Sequence, residues 1–253
     1  IMLRSANELI NYTMEATDDD IGRCKDFLFD DRHWVTRYIL VDTGKWLPGR
    51  KVLISPISLG EPDWATRRFP VDLTTEQIEN SPALDTDAPV SRKYEQLYFD
   101  HFQWPYYWTG GELWGATPYP PATPVPPTET GPSLKEKQEE LEKTHLRSYR
   151  EVKGYYIKTT DGEVGHVDDL IVDDETWRFR YMVVDTRNWL PGRKVLISVE
   201  WIESVSWLEN EVQVDVASEA IKNSPEFDPS QPVNREYEMV LYDYYGRPKY
   251  WER

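Results

Sequence analysis

The chain contains an internal duplication. Residues 3–110 align with residues 146–253 without a gap, at a constant offset of 143 positions. About four in ten aligned positions are identical, and the sequence WLPGRKVLIS occurs in full at 46–55 and again at 189–198. This period is far longer than the roughly 20–50 residues of a solenoid unit. We therefore expect two copies of one fold and a protein that acts through two similar modules.

The alignment and the composition divide the chain into three parts. Repeat 1 covers 3–108, with a barrel portion at about 12–72 and a helical tail at 73–108; repeat 2 covers 146–253, with its barrel at about 155–215 and its tail at 216–253. Between them, 109–145 contains the proline-rich run TPYPPATPVPPTETGP, which favours an extended, semi-rigid spacer. Its PxxP sequence at Pro121 also matches ligands of proline-binding domains, although a plain linker is favoured. Ser133 and Glu136 then form a capping-box pattern that predicts an exposed, charged helix.

Charge and cysteine content narrow the classes of function. The 253 residues include 45 acidic and 29 basic side chains, giving a formal net charge of −16. A phosphate backbone or an anionic membrane surface attracts basic proteins, so we expect neither nucleic-acid binding nor membrane insertion. Cys24 is the one cysteine, which excludes an intrachain disulfide and a thiolate metal site. The sequence shows no apolar run of about 18 residues and no apolar signal core, and we expect a cytoplasmic protein.

The first half of each repeat has the pattern of short strands. Runs rich in β-branched and aromatic residues predict strands at Gly22–Asp30 and from Arg37, and the equivalent strands at Gly165–Asp173 and from Arg180. VLIS is the returning strand, and Pro48-Gly49 and Pro191-Gly192 fit the centre of a type II turn. Further strands are predicted near 199–207 and from Glu211. Five or six short strands with tight turns predict a small barrel, so the fold class is mainly β with short helices.

The second half of each repeat is predicted to be helical. Thr75 and Ser218 are the expected N-caps of two short helices, which end before Pro82 and Pro225. A second helix begins at Arg92 and at Arg235. Its aromatic and aliphatic residues recur at helical spacing: Tyr94, Leu97, Tyr98, His101 and Tyr237, Val240, Leu241, Tyr244. This stripe predicts packing on the barrel, and the alternative is an exposed, partner-binding face. The candidate interaction surface is Tyr94, Tyr98, Tyr237 and Tyr244.

Motifs of catalysis are missing from the sequence, and none of the four histidines recurs between the repeats. There is no GxSxG, HExxH or CxxC motif and no glycine-rich phosphate loop. The acids that recur are Asp26/Asp169, Asp30/Asp173, Asp31/Asp174, Asp42/Asp185, Asp72/Asp215 and Asp100/Asp243. Asp26 and Asp30 lie about 13 Å apart on one strand, too far to share an ion. We expect no catalytic, cofactor or metal site. The recurring cations are predicted to pair with these acids: Arg37/Arg180, Arg50/Arg193 and Lys51/Lys194.

One pattern resembles a known family. It consists of a glycine, an aspartate, an Asp-Asp pair, a tryptophan, Arg-Tyr and Val-Asp, at Gly22, Asp26, Asp30-Asp31, Trp34, Arg37-Tyr38 and Val41-Asp42, and again 143 residues later. This run is similar to the core of the PRC-barrel family, which is named after the cytoplasmic domain of the photosynthetic reaction-centre H subunit. The WLPGR hairpin and the helical tail look like its free-standing, soluble bacterial branch. The resemblance implies two tandem small β-barrels used for binding and assembly, without catalytic residues.

Three hypotheses for the function follow. The first is a non-catalytic adaptor or assembly module that binds a protein partner of unknown identity, with a homodimer as one form of such contact. The second is a regulatory protein that binds a small molecule or a metal ion. The third is an enzyme of unfamiliar type, which requires a concave pocket holding titratable groups of perturbed pKa.

The second hypothesis predicts a rise in melting temperature when the ligand is added, because a ligand that binds only the folded state stabilises it. Differential scanning fluorimetry across divalent ions and common metabolites measures this rise. The adaptor hypothesis expects a flat response, and a saturable rise with one compound would favour the regulatory protein instead.

Overall fold

The computed structural model describes residues 2–85, 89–122, 145–186 and 192–252. The chain forms two compact units. The first-repeat unit contains Leu9–Ser148 and Glu175–Trp177, and the second-repeat unit contains Ile1–Glu8, Tyr149–Asp174 and Arg178–Arg253. The units therefore differ from the sequence repeats, because each unit includes a short segment of the other repeat.

The elements follow the same order in both repeats, with one additional strand in repeat 2. In repeat 1 they are β1 (Leu3–Ser5), α1 (Ala6–Leu9), β2 (Thr13–Glu15), β3 (Asp20–Asp30), β4 (Val35–Asp42), β5 (Lys51–Ile54), β6 (Arg68–Pro70), α2 (Thr75–Glu79) and α3 (Arg92–Phe102). In repeat 2 they are β7 (Leu146–Ser148), α4 (Tyr149–Val152), β8 (Tyr156–Thr159), β9 (Gly162–Asp173), β10 (Phe179–Asp185), β11 (Lys194–Ser198), β12 (Ile202–Ser206), β13 (Glu211–Val214), α5 (Ser218–Lys222) and α6 (Arg235–Tyr245). Short 3₁₀ helices cover Pro56–Ser58, Val199–Trp201 and Tyr250–Glu252.

Each unit is built on one sheet. In the first-repeat unit the strand order is β5-β4-β3-β2-β6, and β7 also pairs with β3. In the second-repeat unit the order is β11-β10-β9-β8-β13-β12, and β1 also pairs with β9. Neighbouring strands are antiparallel except for β2 with β6 and β8 with β13, which are parallel. The mainly β fold with short helices is confirmed, as are the strands predicted from β-branched and aromatic runs.

The first strand of each repeat completes the sheet that the other repeat builds. β1 pairs antiparallel with β9, and β7 pairs antiparallel with β3 at the equivalent positions. The serine that ends each of these strands donates a hydrogen bond to a buried aspartate. Ser148 donates to Oδ2 of Asp26 at 2.5 Å, and Ser5 donates to Oδ2 of Asp169. The LRS motif and the two aspartates therefore recur because they form the same strand junction in each unit.

Two glycine positions explain further identities between the repeats. Gly22 has φ +136°, and a Cβ there would lie 2.1 Å from the carbonyl oxygen of Asp42. Gly165 has φ +64°, with the same clash at 2.0 Å against Asp185. Only glycine permits this approach of β3 to β4 and of β9 to β10. At the predicted type II turn, Gly49 has φ +78° and closes the hairpin between β4 and β5.

The N-caps of the short helices differ from the sequence prediction. Thr75 and Ser218 are the first residues of α2 and α5, and the caps are Thr74 and Ala217. At α2 the prediction was wrong because the side chain of Thr74 caps the helix by accepting from the Gln77 N–H. At α5 the cap position holds Ala217, which has no capping side chain. In both helices a carboxylate distant in sequence also binds the first backbone N–H. Asp18 accepts a hydrogen bond from the Thr75 backbone N–H at 2.8 Å, and Asp161 does the same for Ser218 at 2.7 Å.

The pairing of the recurring cations is confirmed only in part. Arg37 pairs with Asp30 and Arg180 with Asp173, as predicted. Arg50 instead donates to backbone carbonyls at the end of α2, at 2.8 Å from Glu79 and 3.0 Å from Ser81. Arg193 makes the equivalent bond to Ser224, and Lys194 pairs with Asp168, an acid that does not recur. The carbonyls at a helix end carry partial negative charge, which the sequence search for acids did not consider.

Some predictions fall outside the described residues. They include the capping box at Ser133 and Glu136, the charged helix that follows it, and Pro191 of the second hairpin. Leu146, which the sequence places at the end of that charged helix, lies in β7.

We call the pairing of β1 with β9 and of β7 with β3 the strand exchange. It predicts reciprocal effects of two matched substitutions. Ser5→Ala leaves the buried Asp169 without its hydroxyl donor, which costs about 1–3 kcal/mol. It should speed amide hydrogen exchange at Ile171 and Val172 in β9 and leave Leu28 and Phe29 in β3 unchanged.

Ser148→Ala should produce the opposite pattern, so each variant is the control for the other. Faster exchange in β3 after Ser5→Ala would show that each repeat keeps its own first strand, which contradicts the exchange.

Candidate interaction surface

The last helix of each repeat has one face in the core of its unit and one face in solvent. The buried side chains follow an i, i+3, i+4 spacing: Glu95, Tyr98 and Phe99 in α3, and Glu238, Leu241 and Tyr242 in α6. A glutamate thus occupies the buried stripe in both repeats. The helical period was predicted correctly, but the buried face is centred differently from the predicted aromatic stripe.

The buried glutamate of α3 receives donors on both carboxylate oxygens. Glu95 is 2 % exposed. Its Oε1 accepts hydrogen bonds from the hydroxyls of Tyr38 at 3.1 Å and Tyr107 at 2.6 Å. Its Oε2 lies 2.9 Å from the guanidinium of Arg92, one turn earlier in the helix. Because a buried carboxylate is costly without such partners, the network holds this face of α3 against β4.

The same network exists in α6, residue for residue. Oε1 of Glu238 accepts hydrogen bonds from Tyr181 at 2.6 Å and Tyr250 at 2.8 Å. Its Oε2 lies 2.9 Å from Arg235. All four residues stand 143 positions after their counterparts in the first repeat. The duplication has therefore preserved a complete set of buried polar contacts.

A second ion pair extends this network into the sheet. The guanidinium of Arg37 contacts Oδ2 of Asp30 at 2.5 Å, and its central carbon lies 3.8 Å above the ring of Tyr107. Arg180 repeats the arrangement with Asp173 at 2.7 Å. Each repeat thus links β3 or β9 to the helix and the aromatic segment after it through alternating charges and rings. An arginine that stacks on an aromatic ring and also pairs with a carboxylate has little freedom to move. It therefore stiffens the contact between the sheet and the aromatic segment.

Burial and pairing act in opposite directions on the two acids of the first repeat. Burial raises the pKa of Glu95 above its ordinary value, because desolvation outweighs the favourable contacts with Arg92 and the two phenols. Burial also acts on Asp30, but the hydrogen bond from His33 and the guanidinium of Arg37 hold the pKa of Asp30 well below its usual range. Both carboxylates accept hydrogen bonds from side chains of the same unit, so they stabilise the fold.

The residues proposed from the sequence as an interaction surface lie in different environments. Tyr98 is fully buried and donates to the carbonyl of Leu53 at 2.8 Å, so it is not on the surface and this part of the prediction is corrected. Tyr94 and Tyr237 are half-buried, and their hydroxyls donate to the carbonyls of the prolines that follow α2 and α5: Pro82 at 3.0 Å and Pro225 at 3.1 Å. Tyr244 is 42 % exposed. The prediction for Tyr98 was wrong because a tyrosine can be completely buried when its hydroxyl donates a hydrogen bond to a buried carbonyl.

The exposed apolar side chains of these helices are aliphatic. Leu97 in α3 is 54 % exposed, and Val240 in α6, at the equivalent position, is 57 % exposed. Met239 beside it is 40 % exposed. We call the solvent side of α3 around Leu97 and the solvent side of α6 around Val240 the outer helix faces. Their position is determined by the glutamate network on the opposite side of each helix.

The sequence analysis missed the residues that anchor these helices. Glu95, Arg92 and Tyr107 recur as Glu238, Arg235 and Tyr250, but only aspartates were considered among the acids. A usable signal was present, because a glutamate recurs on the otherwise apolar face of an amphipathic helix. A charged residue kept at such a position in both copies indicates a paired, buried side chain.

Comparison with protein families gives one finding. Residues 145–221 match the family model described as the PRC-barrel domain. The match covers the strands β7 to β13, the short helix α4 and most of α5. A search among characterised proteins found no match to the chain.

Two further observations concern the described part of the chain. Within it, no helix combines the length and the apolar character needed to cross a bilayer. The described residues also bring together no group of three or more His, Cys, Asp or Glu side chains suited to a metal ion.

The raised pKa of Glu95 predicts a pH dependence of stability. At pH values between the ordinary pKa of 4.5 and the raised pKa, Glu95 is more fully protonated in the folded chain than in the unfolded chain. The free energy of unfolding should therefore fall as the pH rises through this window, by about 1.4 kcal/mol for each pKa unit of difference. Glu95→Gln cannot ionise and should lose this fall.

Urea unfolding of both proteins from pH 4 to pH 8 measures the difference. Glu61→Gln, at an exposed glutamate, is the matched control and should follow the wild type. Parallel pH profiles for the wild type and Glu95→Gln would contradict the assigned direction.

Proposed function

We propose that the chain is a non-catalytic tandem PRC-barrel protein that acts as an adaptor or assembly module for protein partners. The matched segment 145–221 corresponds, at the offset of 143, to residues 2–78. The gapless alignment and the equivalent strand order support a second PRC-type domain in the first repeat. The resemblance to the cytoplasmic barrel of the reaction-centre H subunit supports a role in assembly within the cytoplasm.

The observation that carries this proposal is the use made of the recurring polar residues. The ion pairs Asp30–Arg37 and Asp173–Arg180 and the networks around Glu95 and Glu238 are buried contacts within each unit. An active site requires polar groups held open toward a substrate. The preserved polar groups of these pairs and networks are bonded to one another, which supports a scaffold whose outside is used for binding.

The surface supports protein binding in particular. An aliphatic side chain is exposed at the same helix position in both repeats, at Leu97 and Val240. Contiguous apolar surface rimmed by polar residues marks protein interaction sites, and in α6 the exposed Met239 extends the apolar surface beside Val240. The net charge of −16 favours a partner with a basic face.

A double substitution on the outer helix faces tests the proposal. Leu97→Glu with Val240→Glu places a charge at each exposed aliphatic position and should leave folding intact, because both side chains face solvent. The tagged wild type should co-purify a stoichiometric protein partner from its native cells. The amount of partner recovered with the double variant should be at least about tenfold lower. Quantitative mass spectrometry measures the ratio.

Leu208→Glu is the matched control, since Leu208 is 94 % exposed in the turn between β12 and β13 and belongs to neither helix. It should retain the partner at the wild-type level. Recovery of the chain alone, or only of further copies of it, would contradict an adaptor for other proteins.

A further inference from the structure

A groove in the first-repeat unit is lined by residues at which the two repeats differ. This groove has a volume of about 620 Å³, within the range of ligand-binding clefts. It lies between the end of α3, the helix α2 and the 3₁₀ helix Pro56–Ser58. Its lining includes two carboxylates, Asp72 and Glu76, and the aromatic residues Phe102 and Trp104.

One substitution between the repeats changes the size of a side chain at this position. Ser58 lines the groove in the first-repeat unit, and its counterpart in the second-repeat unit is Trp201. The indole of Trp201 packs against Tyr245, with ring centroids 4.6 Å apart. Tyr245 is the counterpart of Phe102. In the first-repeat unit the position of this indole holds the small Ser58, and Phe102 stacks instead on Trp104, with ring centroids 4.6 Å apart.

A second substitution shows what chemistry this position accepts. Arg247 in the second-repeat unit donates to the carbonyl oxygen of Asp215 at 2.5 Å and to its carboxylate at 3.0 Å. The counterpart of Asp215 is Asp72, and the counterpart of Arg247 is Trp104. The first repeat thus keeps the acceptor but has an indole in place of the cation. Among the described lining residues there is no lysine or arginine.

We propose that this groove binds an arginine side chain from a basic segment of a partner protein. The guanidinium would occupy, beside Asp72, the role that Arg247 fills beside Asp215. Glu76 adds a second negative charge, and the stacked rings of Phe102 and Trp104 line the groove with aromatic surface against which a guanidinium packs. The strongly acidic chain attracts such a segment. This inference rests on the proposed function and names the chemistry of its partner.

Titration of the isotope-labelled full chain with a blocked Gly-Gly-Arg-Gly-Gly peptide tests the proposal. The side-chain N–H signal of Trp104, assigned with Trp104→Phe, should shift saturably with a Kd weaker than about 1 mM, because one ion pair and one cation–π contact together contribute only about 1–3 kcal/mol. The same peptide with neutral citrulline should bind at least about fivefold more weakly. No shift with the arginine peptide would overturn the proposal.

Matched variants locate the site. Asp72→Asn should weaken binding about fivefold, and Ser58→Trp, which copies the second repeat, should abolish it. Asp215→Asn, the equivalent change in the second repeat, should leave the Trp104 response unchanged. Equal binding by the wild type and Asp72→Asn would overturn the proposal.

Co-purification separates this inference from the proposed function. A protein partner that Ser58→Trp retains at the wild-type level would disprove the groove as the docking site, while the adaptor function would stand. A shift of the Trp104 signal that Asp72→Asn and Ser58→Trp abolish supports the groove by itself, even if no partner co-purifies from cells.

Discussion

A buried carboxylate determines how the last helix of each repeat is oriented. Two phenol hydroxyls and one guanidinium surround Glu95, and the same three groups surround Glu238. Turning the helix about its axis would take the buried carboxylate away from these donors, which is costly, so the network favours the observed rotation. This rotation places Leu97 and Val240 in solvent and brings the end of α3 to the groove.

The strand exchange gives the duplication a structural meaning. Each repeat contributes its LRS strand to the unit formed mainly by the other repeat. The hydroxyl of Ser5 or Ser148 completes a buried aspartate in that unit. Neither repeat therefore contains all the residues that its sheet uses. The two copies depend on each other for stability, which explains why the motif and the aspartates survived together while the surfaces diverged.

The positions at which the two repeats differ are as informative as the positions at which they are identical. The residues that recur and are buried hold the fold, whereas Ser58, Phe102 and Trp104 differ from their counterparts and line a groove. Sequence reasoning weighed recurrence and so found Asp30 and Arg37, which proved to be paired. It did not weigh the positions where the copies differ, because a difference in side-chain size has no meaning until the neighbours in space are known.

The amino-acid sequence by itself determined the duplication, the mainly β class, the strands at the β-branched runs and the period of the two C-terminal helices. These features follow from local preferences and short-range patterning. The tertiary structure alone decided which sheet receives each LRS strand, which helix face is buried and where space remains open. The two LRS segments are identical, so their local sequence fits either acceptor equally well. Only the path of the chain and the packing around Asp26 and Asp169 select one pairing.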